Sequence, residues 1–222
     1  MNLSKEKQKV LKVLSKIISI IAIIGKVALY ITAPIIILSL IIIPILFNKI
    51  EVKDDQIIVN NSEIIKIEEN EKGLVLSYRD HTVLVEDNVN ELLEFKEIFK
   101  NHSKGMIVGY VEISLVVALI ALILWYLVLT HLNKLFNNIY KEQTPFTMEN
   151  VVHIKKLAYY LIGTIILPVI SMITYQLIFN KSLNIAGGSI GIMEILFLFV
   201  ISYVFEYGYN LQSKSDGKIY GD

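Results

Sequence analysis

The sequence predicts an all-α membrane protein with four transmembrane helices and a small extracytoplasmic strand-rich (α+β) insert between helices 1 and 2. Hydrophobic residues make up 54% of the 222 residues and charged residues 19%, below the roughly 25% of a soluble domain. Four long stretches carry almost no charge, which is typical of membrane spans. Short β-branched runs after the first stretch predict strands. This composition excludes an ordinary soluble enzyme, and the absence of cysteine excludes disulfides.

Apolar runs and charge clusters divide the chain into successive segments. They are a cytoplasmic basic amphipathic segment at 1–16, transmembrane helices at 17–47, 105–130, 157–179 and 189–207, an extracytoplasmic β-meander plus helix at 48–104, a cytoplasmic loop at 131–156, an outer turn at 180–188 and a cytoplasmic tail at 208–222. The uncharged run Val27–Phe47 alone is about 31 Å long as a helix at ~1.5 Å per residue, enough to cross a bilayer. The basic amino-terminal segment is expected to contact anionic lipid.

The distribution of charge predicts the orientation. Residues 1–16 contain five Lys against one Glu, and the loop 131–156 contains four Lys against two Glu. Residues 48–104 contain eight basic and thirteen acidic residues. The positive-inside rule therefore places both termini and the middle loop in the cytoplasm and the insert outside.

Residues 48–104 predict a small folded unit. The runs at 57–59, 63–67, 74–78 and 82–85 are β-branched or alternating, and turn sequences separate them. We expect three or four antiparallel strands. Residues 89–100 have amphipathic spacing and predict a helix that leads into the second span.

The loop before the third span carries a helix-start signal. Thr147 is a good N-cap, and Phe146 can pack on Val151 as a hydrophobic staple. Glu149 lies in the first turn, where the helix dipole favours an anion, and Pro145 ends the preceding helix. Two interpretations stay open, a capped reversal between helices and a docking surface for a cytoplasmic partner. An apolar stripe that includes Leu132, Leu135, Phe136 and Ile139 needs cover from the bundle, the lipid or that partner.

Two motifs carry a family resemblance. The sequence Pro145-Phe146-Thr147-Met148-Glu149-Asn150, together with Val204-Phe205-Glu206-Tyr207-Gly208 and Leu211-Gln212, resembles the bacterial membrane family called domain of unknown function 2975. The chain departs from the family pattern at Tyr203, where an acidic residue is common, and at Lys214 and Lys218, which dilute an acidic tail.

The resemblance implies four spans with a segment between the first two, in a bacterial cell membrane. Genes of this family commonly lie beside a small helix-turn-helix regulator, which implies a regulatory or sensory partner of a cytoplasmic transcriptional regulator. The candidate cytoplasmic contact residues are Ile139, Pro145, Phe146, Thr147, Glu149, Asn150, Glu206, Gly208 and Leu211.

Polar residues within the spans form a second candidate site. Glu112, Gln176 and Glu194 are predicted at a similar depth in the outer leaflet. Three interpretations stay open: a proton or cation site, structural hydrogen bonds of neutral carboxyls, and simple interfacial exposure. The first would make the protein a small ion or proton channel or transporter subunit, which is the alternative function.

The sequence shows little sign of a metal site, a phosphate-binding loop or a catalytic motif. The four histidines, His81, His102, His131 and His153, lack metal-ligand spacing and are predicted to be solvated. No phosphate-binding loop or Gly-x-Ser-x-Gly elbow is present. We therefore expect no enzymatic activity, no cofactor and no metal. The 21 basic and 21 acidic residues cancel, so no direct nucleic-acid binding is expected. The expected partners are the lipid bilayer, the regulator and a second copy of the chain.

Overall fold

Four long helices and one antiparallel sheet make up the structure. The computed structural model describes residues 5–53, 56–59, 63–70, 73–78, 81–85, 97–142, 146–179 and 189–219. The helices are α1 (Lys5–Asn48), α2 (Lys104–Glu142), α3 (Met148–Phe179) and α4 (Ser189–Ile219). The strands are β1 (Ile50–Lys53), β2 (Gln56–Val59), β3 (Glu63–Asn70), β4 (Gly73–Tyr78) and β5 (His81–Val85).

The four helices are long and apolar enough to cross a membrane. The apolar segments lie within Lys9–Asn48, Lys104–Lys141, Met148–Phe179 and Met193–Lys214. α2 alone has 39 residues, about 58 Å at ~1.5 Å per residue, against a hydrocarbon core of about 30 Å. Many large apolar side chains on these helices are exposed, as expected for surfaces that lipid covers. The prediction of a multi-pass membrane protein with four long apolar helices is confirmed.

Two compact units divide the described residues. The first unit comprises those within Met1–Pro34, Val117–Ile170 and Asn184–Asp222, and the second comprises those within Ile35–Val116 and Ser171–Leu183. α1, α2 and α3 contribute residues to both units, and α4 belongs to the first.

The core of the first unit lies between α2 and α3. Val128, Leu135 and Ile139 on α2 pack with Ile154 and Leu157 on α3. Partly buried apolar residues from the other helices complete this core: Leu11 on α1, and Leu198, Ile201 and Phe205 on α4. All four helices therefore contribute to one apolar cluster.

α1 approaches α2 closely in the first unit because small residues line its contact face. A Cβ atom built on Gly25 would lie 2.8 Å from a methyl of Leu129, and Ala22 is fully buried. The Ser19 hydroxyl donates a hydrogen bond to the side-chain oxygen of Asn133. Small residues at helix contacts in membranes allow this close packing, and polar pairs add to it.

The sheet belongs to the second unit and has the strand order β1-β2-β3-β4-β5, with every neighbouring pair antiparallel. Paired ends such as Asn70↔Gly73 and Tyr78↔His81 leave two residues between strands, the spacing of tight hairpins. β1 precedes the first predicted run and pairs with β2. It was not predicted because two of its four residues are charged, a weak signal for a strand.

Aromatic rings pack at the helix ends of the second unit. Phe47 stacks on Phe99 at 5.6 Å between centroids. Tyr110, Tyr175 and Phe179 meet with centroids 5.0–5.4 Å apart. Of the helix predicted at 89–100, residues 97–100 are described and are helical, whereas residues 89–96 lie outside the described residues.

Candidate functional site

The helix start at α3 has the predicted cap. The Thr147 hydroxyl accepts a hydrogen bond from the backbone N–H of Asn150 at 3.2 Å, and the Thr147 carbonyl accepts one from the N–H of Val151 at 3.2 Å. The first bond gives the N–H of Asn150 an acceptor, which the first turn of a helix cannot supply from its own backbone. The second is the first backbone hydrogen bond of α3. Asn150 is fully buried, so this end of α3 is packed rather than frayed.

Phe146 joins the start of α3 to α4. Its ring packs edge-to-face on Phe205 with centroids 5.5 Å apart. A Cβ atom built on Gly208 would lie 2.5 Å from Phe146 Cδ1, so only glycine leaves room for the ring at this position. The two motifs that carry the family resemblance therefore pack directly against each other.

An ion pair reinforces this junction. Lys155 Nζ donates to Glu206 Oε2 at 2.8 Å, and the same ammonium lies 5.8 Å from the ring centre of Tyr203. The hydrogen bond to Glu206 raises the pKa of Lys155. We call Phe146, Thr147, Lys155, Phe205, Glu206 and Gly208 the helix-end cluster.

Several predicted contact residues lie in or beside the helix-end cluster. Glu149 and Leu211 are exposed, with 62% of the Glu149 side chain and 51% of Leu211 accessible. Pro145 lies outside the described residues.

Ile139 is different, because it is only 5% exposed and packs in the core with Leu135 and Ile154. This burial favours internal packing of Ile139 over a place on a docking face. The apolar stripe on α2 is covered by the neighbouring helices.

A buried histidine pair lies close to the α2–α3 core. His131 Nδ1 and His153 Nδ1 are 3.0 Å apart, and both residues are buried. The ring of Tyr160 stacks on His131 with centroids 5.5 Å apart. The expectation that these two histidines are solvated is wrong. Spacing along one helix did not reveal the pair, because its members lie 22 residues apart on two antiparallel helices.

The surroundings of the histidine pair favour neutral imidazoles. Both residues lie in segment 131–156, outside the segments predicted to span the membrane. Burial, followed by the neighbouring His153 and the cations Lys156, Lys134 and Lys26, together lower the pKa of His131 to about 4. Burial also lowers the pKa of His153, although Glu149 opposes this effect.

The remaining polar contact of the pair is long. His153 Nε2 lies 3.5 Å from Glu149 Oε1, beyond the usual hydrogen-bond range. Among the residues that the structure describes, no group of three or more His, Asp or Glu side chains is arranged to hold a metal ion.

The predicted intramembrane polar residues are not gathered into one described site. Glu112 and Glu194 are exposed, and they lie in different units. Gln176 is buried, and its side-chain oxygen makes no hydrogen bond within the described part of the chain.

Replacing Thr147 with alanine removes the cap of α3. We expect a loss of about 1 kcal/mol of unfolding free energy, because the N–H of Asn150 loses its acceptor. Thermal unfolding of the purified protein in detergent, followed by circular dichroism, measures this loss. Thr147→Ser keeps the hydroxyl and is the matched control. Equal losses in the two variants would show that the methyl group, not the cap, stabilises this end.

Comparison with known protein families identifies a match. The family model described as "Protein of unknown function (DUF2975)" matches residues 77–217, well over half of the chain. The matched region contains both motifs that meet in the helix-end cluster. The resemblance predicted from those motifs is confirmed. No curated protein and no solved structure matches the chain.

Proposed function

The chain belongs to the family of proteins of unknown function DUF2975, and we propose that it is a bacterial regulatory membrane protein that binds a small cytoplasmic helix-turn-helix regulator. The partner class comes from the family resemblance, and the binding surface comes from the geometry. The proposed role is binding and signal transmission rather than catalysis.

The observation that carries the proposal is the packing of Phe146 against Gly208 and Phe205. This contact fixes the start of α3 against α4. Met148 and Tyr207 are the sequence neighbours of this junction and are exposed, at 47% and 67%. Rigid elements with exposed aromatic and apolar side chains provide a preorganised surface for a protein partner.

Charge distribution supports the orientation that the proposal needs. The lysine-rich segments 1–16 and 131–156 place the helix-end cluster in the cytoplasm under the positive-inside rule. The same rule places residues 48–104, and with them the strands β1–β5, outside the cell. In this arrangement the sheet would receive an external signal, and the helix-end cluster would bind the cytoplasmic regulator.

The geometry favours this role over the ion-path alternative. A proton or cation path needs polar groups that converge within the membrane. Glu112 and Glu194 are exposed, whereas the described contacts of Phe146 and Lys155 converge on one segment of α4. We therefore propose binding at the helix-end cluster as the function.

Substitution of Leu211 tests the proposal. Leu211 lies one helical turn beyond Gly208 and is half exposed. The full-length chain is coexpressed with a fluorescently tagged small helix-turn-helix regulator encoded beside its gene, and the regulator in the membrane fraction is measured. We expect the native chain to recruit the regulator and Leu211→Glu to weaken recruitment at least about tenfold, because a charge disrupts an apolar contact.

Asn137→Glu is the matched control, because Asn137 is exposed on α2 and gains the same charge. This variant should recruit the regulator as the native chain does. The proposal is overturned if no regulator is recruited to the native chain, or if Leu211→Glu and Asn137→Glu recruit equally well. A neighbouring gene for an ATPase or a permease would favour the transport alternative instead.

A further inference from the structure

The histidine pair joins α2 to α3, and neither histidine belongs to the helix-end cluster. Nδ1 of His131 on α2 and Nδ1 of His153 on α3 are 3.0 Å apart. At this distance one Nδ1 donates its N–H and the other Nδ1 accepts the hydrogen bond through its lone pair. The accepting imidazole must therefore be neutral. The two rings and Tyr160 pack together, so the contact is part of the interior.

The geometry of the pair does not allow both Nδ1 atoms to carry a proton. If both Nδ1 atoms carried protons, two N–H groups would face each other at 3.0 Å and the hydrogen bond would be lost. Burial denies the resulting imidazolium its hydration. The helices must separate locally before both rings can be protonated and solvated.

The charges around His131 oppose its protonation. Lys26 on α1, Lys134 on α2 and Lys156 on α3 all lower the pKa of His131. On the side of α4, Glu206 is held by Lys155 at 2.8 Å.

One neighbour, Glu149, favours protonation of His153. Glu149 lies 3.5 Å from Nε2 on the far side of the ring, and it is exposed to solvent, which screens its charge. The net effect is still a lowered pKa of His153. The immediate surroundings thus combine three cations with one screened anion.

We propose that the His131–His153 pair is a proton-sensitive latch that holds α2 against α3 at neutral pH and releases them locally on acidification. Ile154 follows His153 on α3 and packs in the α2–α3 core with Ile139, so release of the latch alters the packing of that core. This inference concerns the conformation of the chain and does not depend on the proposed regulator.

The direction and size of the effect follow from linkage. An exposed histidine has a pKa of about 6.5, and that of His131 in the closed pair is about 4. The paired state is therefore fully favoured above about pH 6.5 and loses its advantage as the pH falls toward 4. For His131 alone, the ratio of open to closed states should rise about thirtyfold between pH 7.5 and pH 5.

Hydrogen–deuterium exchange of the full chain in lipid nanodiscs tests the latch. Exchange detects rare opening, so the test does not need the open state to be populated. Rates at pH 7.5, 6 and 5, corrected for intrinsic exchange, give the opening constants for residues 128–134 and 150–156. We expect these constants to rise about thirtyfold by pH 5, while those of residues 108–120 on the same helix α2 change little.

Two variants complete the test. His131→Gln/His153→Gln removes both titrating groups and should show no pH dependence in the two stretches. His102→Gln replaces a histidine that packs on Phe179 in the other unit, and it should respond as the native chain does. The latch is overturned if the native opening constants change less than threefold, if acid accelerates all regions equally, or if the double variant responds like the native chain. Should the double variant fail to fold, the confinement of the native response to these stretches decides the outcome.

Discussion

Replacing Ile139 with glutamate is expected to remove about 3–5 kcal/mol of unfolding free energy and to reduce the amount of folded protein in the membrane. Ile139 is 5% exposed and packs among Leu135, Ile154 and Leu157. The substitution removes a large apolar side chain from this cluster and places a carboxyl group there without an assigned partner, and both changes are strongly destabilising. Thermal unfolding in detergent and the yield of monodisperse protein measure the effect.

Asn137→Glu introduces the same side chain two residues away at an exposed position of α2. We expect a change within about 0.5 kcal/mol, as for most surface substitutions. If Ile139→Glu were as stable as Asn137→Glu and only lost binding of the regulator, the isoleucine would be a contact residue. The assignment of Ile139 to the core would then be wrong.

Replacing Gly208 with alanine is expected to destabilise the helix-end cluster by about 1 kcal/mol. Two effects compete. Alanine improves the helix propensity of α4 by about 1 kcal/mol, but its Cβ would lie 2.5 Å from Phe146 Cδ1. The ring has to move, and its edge-to-face contact with Phe205 is weakened. Overpacking of this kind typically costs 1–3 kcal/mol, so the clash outweighs the propensity.

The effect of Gly208→Ala on stability should change from destabilising to stabilising where the clash is absent. In a Phe146→Ala background the Cβ of residue 208 has no ring to meet, so Gly208→Ala should stabilise the variant through helix propensity. Gly109→Ala on α2 is a second control, because no atom lies within 4 Å of its built Cβ. Equal destabilisation by Gly208→Ala with and without Phe146 would refute this explanation. Thermal unfolding of the native chain, the two single variants at positions 146 and 208, and the double variant provides the double-mutant cycle.

The sequence by itself determined the features that depend on neighbours along the chain. Length and absence of charge predict four apolar helices. The cap at Thr147 depends on an amide three residues away, and the structure has that hydrogen bond. The turn sequences before Gly73 and His81 fall between paired strand ends. Each of these signals operates within one turn or one hairpin, so a single sequence carries it.

Only the tertiary structure decided which faces meet. Periodicity identifies an apolar face of α2, but in a membrane protein lipid covers such a face as well as a helix does. Ile139 therefore needed the packing of α3 to show that it is buried. The contact of Phe146 with Gly208 joins a residue that precedes α3 to α4, and the glycine by itself does not identify the aromatic ring that packs against it.

The histidine pair shows the same limit. His131 and His153 lie on different helices, and their 3.0 Å contact depends on how α2 crosses α3. A sequence pattern encodes positions along each helix, but the crossing is set by the summed packing of many side chains. Burial and nearby cations then decide the charge of the pair, because desolvation depends on three-dimensional surroundings rather than on sequence neighbours.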